Sequence, residues 1–258
     1  MVSCIHCTTV SNRSVDGSHL SATTFPKLDH IPCKIGNQTF PVRRCVDTKP
    51  QSKVHDIRLS RSNLKEMTII GQMEKTFLVC HYVSSAGDKD YIVLVDPHAA
   101  DERIRLEKLI KKLVAESDIQ HQIARVKLSK ECSKLVKDCR KYLALVGMTL
   151  ANCSWTAECA TVDVKGSKLC HELMGHLGVT QLVQIVEKCL YWFAERREIS
   201  ASAPLSPSNI PKALLDLLSS KACRTAVMFG TLVTRETCEL IIDALVKCDF
   251  PFQCGNVH

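Results

Sequence analysis

YIVLVDPHAADERIRLE, residues 91–107, reads as a buried strand that ends in an acid and turns at once into a helix. Tyr91 to Val95 is the apolar run, Asp96 suits the N-cap, and Pro97 fits the first helical position, where a missing N–H costs nothing. His98 and Glu102 then lie one turn apart on the same face. Asp96, His98 and Glu102 can therefore converge on one point, and carboxylate and imidazole groups converging at a strand-to-helix junction are what a metal ion needs. A capped helix carrying a surface histidine is the plainer alternative. Further along, Asp101 with Arg105, Arg103 with Glu107, and Glu107 with Lys111 repeat at helical spacing and read as a solvated salt-bridge ladder.

Outward from this stretch the pattern is that of an α+β fold. Thr68–Ile70, Phe77–Val79 and Val93–Val95 read as strands, with a turn region at Gly71–Gln72 between the first two. The helix after Asp96 is expected to reach about Val114. Ile123 to Leu128 alternates and meets Ser129, a plausible N-cap, and Leu128, Cys132, Leu135, Cys139 and Leu143 mark an amphipathic helix. Its other side carries Lys130, Lys134, Lys137 and Lys141, and residues 125–141 hold seven basic and two acidic side chains. Such a row can displace counterions from a phosphate backbone, or it can be an ordinary solvated face. Met148–Cys153 and Thr161–Val164 are strand-like. Leu182 to Phe193 suggests a buried helix, and further helices are expected around Leu214–Leu218 and over 235–247. Residues 1–60 lack periodicity and read as a linker or disordered tail. Residues 61–118 and 205–258 form one lobe in this reading, with 119–204 inserted as an outer lobe.

Composition narrows the classes. A chain of 258 residues with 45% hydrophobic content buries a full core. Its first residues, MVSCIHCTTVSNRS, contain no apolar segment of a secretory leader, and no run reaches the ~18 apolar residues of a membrane span. The fifteen cysteines are then expected as reduced thiols, mostly small core residues. Cys4 and Cys7 make a CxxC, but Cys33 and Cys45 form no second close pair, and the irregular spacing favours free cysteines over a zinc site. The net charge of +7 is compatible with a polyanionic partner. His171-Glu172-Leu173-Met174-Gly175-His176 is one residue too long for a HExxH zinc site: histidines five apart point roughly 140° away from each other on a helix.

The motif Asp96, His98, Ala99, Glu102, Glu107 resembles the endonuclease motif of the MutL-homologue mismatch-repair proteins, with Pro97 where the family has glutamine. Residues 102–107 are most similar to the gamma branch, the endonuclease subunit associated with meiotic crossovers. Ala222-Cys223-Arg224 matches a second family motif. Pro251-Phe252-Gln253-Cys254 leads into a third, but Gly255-Asn256-Val257-His258 follows where the family has its final histidine sooner. The resemblance runs from about Leu64 to Cys254 and implies a MutL C-terminal-like fold of two lobes, one for dimerisation and catalysis and one external. It implies His98, Glu102, Cys223 and Cys254 as metal ligands, Asp96 essential for cleavage, and Glu107 and Arg224 as further motif residues; Asn256 stands at the family's last ligand, which leaves either His258 as a substitute across a backbone bulge or a divergent end. It also implies zinc, with manganese or magnesium for nicking, and a heterodimer with a second MutL-homologue subunit acting on double-stranded DNA in the nucleus, with no membrane. The family's N-terminal ATPase and its ATP-binding sequence are not visible in residues 1–60. The alternative is a catalytically impaired dimerisation module, consistent with Pro97 and the altered third motif. A small-molecule zinc hydrolase lacks a Gly-rich loop or pocket motif.

Overall fold

Strand alternation in the first half of the chain builds one four-stranded antiparallel sheet. In the computed structural model the described residues are the strands at 5–10, 32–35 and 38–41 together with 59–84, 90–116, 118–196 and 209–253. Strands β1 (Ile5–Val10), β2 (Pro32–Ile35) and β3 (Gln38–Pro41) fall within the non-periodic stretch. Helix α1 (Arg61–Glu66), β4 (Thr68–Met73), β5 (Phe77–Val83) and β6 (Asp90–Val95) follow. The order is β1-β6-β5-β4, while β2 and β3 pair separately. β6 pairs with β1 on one side and β5 on the other, so Val95 faces both Ile5 and Leu78. Its burial alternates, with Tyr91, Val93 and Val95 turned to the core.

The expected turn at Gly71–Gln72 is corrected: both residues belong to β4, and Gly71 stands where the register shifts beside Ile69. The chain reverses later, through Glu74 (φ 49) and Lys75 (φ 57), with Thr76 N–H bonded to Met73 O at 2.9 Å. Non-glycine residues at positive φ give no Gly-Asn signal to read.

Helix α2 (Pro97–Ala115) starts directly from β6. The remaining elements are β7 (His121–Leu128), α3 (Lys130–Leu143), β8 (Met148–Trp155), β9 (Ala160–Gly166), α4 (Lys168–Met174), α5 (Val179–Glu195), α6 (Lys212–Thr225) and α7 (Arg235–Val246). β7, β9 and β8 form a second antiparallel sheet in that order. Contacts divide the chain into two compact units, one running to Ile104 and resuming at Val227, the other Arg105–Ala226. In the first, Leu64, Leu78, Cys80, Val93, Val95, Ala100 and Ile104 pack with Ile241, Ile242 and Leu245 of α7. In the second, Val126, Leu128, Val136, Leu143, Val162, Val164, Leu190, Phe193 and Leu218 make the core. Among the described residues no helix is long and apolar enough to cross a membrane.

Caps fix the second unit locally. Ser129 accepts from Cys132 N as the start of α3, and Gly147, in the left-handed region at φ 66, lets the chain leave the short 3₁₀ turn after α3 and enter β8. The first turn of α4 is capped from a distance: Glu116 Oε2 accepts from Leu169 N at 2.8 Å. Burial raises the Glu116 carboxyl, but the Leu169 amide, Ser167 hydroxyl and Lys112 ammonium together outweigh it and hold the pKa below its ordinary 4.5. A depressed pKa contributes stability above the unfolded value that is lost as pH falls through the folded one. Glu116→Ala is therefore expected to cost about 1 kcal/mol at neutral pH, the usual worth of a cap. Urea unfolding at pH 7 and pH 3 checks this: the deficit shrinks at the lower pH, and an equal deficit at both removes the ionised cap.

Candidate metal centre

Asp96 sits at the tip of β6 and caps α2. Its Oδ1 accepts from His98 N at 2.9 Å and from Ala99 N at 3.2 Å. Pro97 occupies the first helical position and is buried, so the proline changes no backbone bond of this cap. One turn apart, His98 Nε2 and Glu102 Oε2 are 3.8 Å from each other. Glu102 is 1% exposed and its Oε1 has no hydrogen-bond partner. Burial pushes its carboxyl above the ordinary carboxylate range, His98 and Arg103 pull it back, and Asp96 pushes it further up.

The other nitrogen of His98 is committed. Nδ1 lies 2.8 Å from the carbonyl of Val227. A carbonyl only accepts, so Nδ1 carries the proton and Nε2 is the acceptor nitrogen of the ring. The Val227 N–H donates in turn to Asp101 Oδ2 at 2.9 Å, so both backbone groups of Val227 are tied to α2. α6 ends just before it, with Ala226 N–H on Cys223 O at 3.3 Å. Cys223 is thus one turn of chain from a pinned residue, and local connectivity brings its thiol to the same place. Ligand atoms of His98, Glu102 and Cys223 all lie within 4.8 Å of one another. A tetrahedral zinc ion sets its ligands roughly 3.3–3.8 Å apart, given bonds of about 2.0–2.3 Å. Small side-chain rotations close that difference, and a buried carboxylate oxygen without a partner, a lone-pair nitrogen and a thiol fit such an ion.

The other expected site residues lie elsewhere. Asp96 is absent from this cluster and its visible work is the cap. Arg224 is exposed and donates from Nη1 to Ser220 Oγ at 2.9 Å. Cys254 and His258 fall outside the described residues, as do the side chains of Cys4, Cys7, Cys33 and Cys45. Lys130, Lys134, Lys137 and Lys141 are all exposed on α3. Lys130 pairs with Glu158 at 3.0 Å, and the Lys137 and Lys141 ammonium groups lie over the rings of Trp155 and Tyr142. His176 lies beyond α4, past the capping Gly175, while the His171 ring sits 5.7 Å from that of His121.

The solvated ladder is corrected. Asp101, Arg103 and Glu107 are 8%, 0% and 4% exposed. Asp101 serves the Val227 amide, and Arg103 Nε donates to the carbonyl of Gln253 at 2.8 Å. Spacing at i,i+4 is identical for a buried and an exposed pair, so only the buried neighbours tell them apart. Val227 acts through its backbone and gives no sequence signal.

No family model matches the chain. Curated relatives do: the DNA mismatch repair protein MLH3 of Saccharomyces cerevisiae is 25% identical over 96% of this chain. MLH3 of Arabidopsis thaliana is 26% identical over 77%, and Mlh3 of Homo sapiens 28% over 79%. The chain is thus similar to mismatch-repair proteins of the MutL kind, and its likeness is to MLH3. It spans 39%, 17% and 16% of those three relatives.

Among the described residues, most thiols are packing groups. Burial, with the neighbouring Cys238, pushes Cys80 to about 12, and burial with Cys170 does the same for Cys189. Cys170 rises to about 11 through burial, though Ser167 lowers it in part. Cys223 is only half-buried and in no disulfide. Iodoacetamide at pH 7.5 is expected to spare Cys80, Cys170 and Cys189 in the native protein, as read by peptide mass spectrometry. Labelling of those three as fast as in urea would contradict the packing.

Proposed function

We propose that the chain is the metal-dependent DNA-nicking part of a mismatch-repair or meiotic recombination protein, pairing in the nucleus with a second MutL-homologue subunit and acting on double-stranded DNA. The two compact units correspond in this reading to a dimerisation and catalytic lobe and an external lobe. Zinc is the resident ion, with manganese or magnesium supporting the cut. The observation that carries the reading is the convergence of ligand atoms of His98, Glu102 and Cys223, with Glu102 buried and its Oε1 without a hydrogen-bond partner.

His98, Glu102 and Cys223 would hold the ion, with Cys254 as a further thiolate. When bound, such an ion acts as a Lewis acid on a phosphoryl oxygen and acidifies a water. The chain's own groups prepare the site. Val227 O fixes the histidine tautomer so that Nε2 faces the ligand set. Glu102 brings a negative charge already stripped of water, which favours a cation over a neutral occupant. Asp96 holds the first turn of α2 through Oδ1 and supports cleavage by orienting groups at the strand tip.

Asparagine caps as well as aspartate, so Asp96→Asn separates capping from chemistry. The expected outcome is loss of manganese-dependent plasmid nicking with the circular-dichroism spectrum unchanged. Nicking at the wild-type rate removes Asp96 from the mechanism. The full chain is expected to hold about one zinc, lowered by His98→Ala and by Cys223→Ser. Much less than one, measured together with the partner subunit by elemental mass spectrometry, favours a pairing module that does not cut.

The α3 lysines supply a phosphate contact in the same reading. Lys130 to Lys141 spans about 16 Å of helix, long enough to follow several phosphates of one strand. Replacing all four with glutamine should reduce the slope of log K against log salt by about 0.9 for each lysine that touches phosphate. Fluorescence anisotropy on a duplex reads it, and an unchanged slope leaves α3 an ordinary solvated face.

A further inference from the structure

Charge is placed unevenly along the chain. Residues 105–226, the second compact unit, hold nineteen lysines and arginines against twelve carboxylates, and the remaining residues hold fifteen of each. The whole net charge of +7 therefore belongs to this unit, and such an excess draws a polyanion. Three of the unit's cations stand over aromatic rings. The Lys137 ammonium lies 5.6 Å from the centre of the Trp155 ring, that of Lys141 lies 4.9 Å from Tyr142, and the Arg196 guanidinium lies 4.6 Å from Trp192. The negative face of each ring holds its cation. None of the three cations pairs with a described carboxylate, so each keeps its charge for a ligand.

The three couples join into one track. Lys137 and Lys141 stand on successive turns of α3, about 6 Å apart along its axis. The Tyr142 ring stacks on Phe193 at 5.8 Å and 20°, and Phe193 meets the Trp192 ring edge-on at 5.1 Å and 87°. Phe193 is 1% exposed in the second core, so Tyr142 and Trp192 are mounted on a fixed side chain. At the other end a bulge aims Trp155. Register in β8 shifts between Ala151 and Ser154, and Cys153, not Asn152, packs on the core. Trp155 lies two residues beyond Cys153 and so on the same side of the sheet, yet it remains 45% exposed. An indole gains much from burial, and this one is held at the surface under a lysine instead.

A nucleotide has the complementary form, a flat base beside a negative phosphate. In a duplex the base faces are stacked inside, and only base edges, sugars and phosphates reach a protein surface, which leaves the rings without a role. An unpaired strand offers faces and phosphates together. We propose that the second unit binds an unpaired stretch of DNA along this track, with Trp155, Tyr142 and Trp192 as base platforms and Lys137, Lys141 and Arg196 as phosphate contacts. As a base takes a ring face, the displaced cation takes the adjoining phosphate, so neither group loses a partner. The assignment rests on the reading of the α3 lysines as a phosphate contact and extends it from duplex to single strand; it is independent of the metal centre.

The chain has two tryptophans, Trp155 and Trp192, so their emission reports the two ends of the track. The full chain is titrated at matched salt with oligo-dT of about twenty nucleotides, with duplex of the same length and with poly-glutamate. Tryptophan emission and the anisotropy of labelled DNA are followed together. Oligo-dT is expected to quench both tryptophans, as Trp155→Leu and Trp192→Leu resolve by leaving one emitter each. Duplex and poly-glutamate should leave the emission nearly unchanged. Each of these variants should weaken oligo-dT binding by about fivefold to a hundredfold, the usual worth of one stacked base, without changing duplex affinity. Arg196→Gln should lower the slope of log K against log salt by about 0.7 on the single strand, and it reads that end of the track if circular dichroism shows Trp192→Leu unfolded. Oligo-dT bound without quenching overturns the assignment, as does full affinity in folded Trp155→Leu. Equal quenching by duplex or by poly-glutamate overturns it too. If no DNA binds, the α3 phosphate contact falls with it. Duplex binding whose salt slope drops when the α3 lysines are replaced, with no quenching by oligo-dT, removes the track alone.

Discussion

The double tie of Val227 to α2 is the interaction on which the site depends. One peptide unit on each side of this residue is spent on the helix: the amide on Asp101, the carbonyl on His98. Buried backbone groups need partners in any fold, and here the partners are a carboxylate and an imidazole whose remaining atoms have other uses. Because the carbonyl takes the proton-bearing nitrogen, the acceptor nitrogen of His98 is on the side of Glu102. Because α6 ends just before Val227, Cys223 is delivered by chain connectivity. The following loop is clamped at its far end as well, where Gln72 of β4 donates to Thr231 O and accepts from Val233 N, both at 2.9 Å.

Charge makes the arrangement discriminating. A surface ion pair contributes about 0–1 kcal/mol, whereas stripping water from an ionised carboxylate costs roughly several. The second effect dominates for Glu102, which is 1% exposed with one oxygen unpartnered. Two states relieve it: protonation, toward which burial already pushes the group, and a cation. Arg103 is close in sequence but its Nε is engaged by Gln253. His98 relieves Glu102 only as an imidazolium, which removes the lone pair. In the proposed metal centre, desolvation of Glu102 would favour a cation more than the number of ligands does.

Local features of the fold are legible in the sequence, and tertiary ones are not. The strand ending at Val95, the cap at Asp96 and the helix after it, the Ser129 cap and the apolar face of α3 all follow from short-range periodicity and capping chemistry. The hairpin between β4 and β5 is misread from sequence because its glycine serves a register shift while a glutamate and a lysine make the turn. The charged residues of α2 are misread because periodicity reports which residues share a face and not what covers it. For Asp101 and Arg103 the partners come from residues far away in sequence. The site is half legible: His98 and Glu102 follow from one turn of helix, whereas the meeting with Cys223 depends on a backbone carbonyl no residue type announces.

Cysteine abundance is a poor guide to chemistry in this protein. Cys132, Cys139, Cys170 and Cys189 fill the second core as small apolar groups, and burial raises three of them well away from the thiolate. A thiolate ligand needs the opposite: partial access, and a positive charge or ion nearby to favour the ionised form. Cys223 satisfies the first condition and stands within reach of a histidine nitrogen and a carboxylate. In the proposed metal centre an ion shared by all three would offset the repulsion between a carboxylate and a thiolate, and the neutral His98 nitrogen would complete the set.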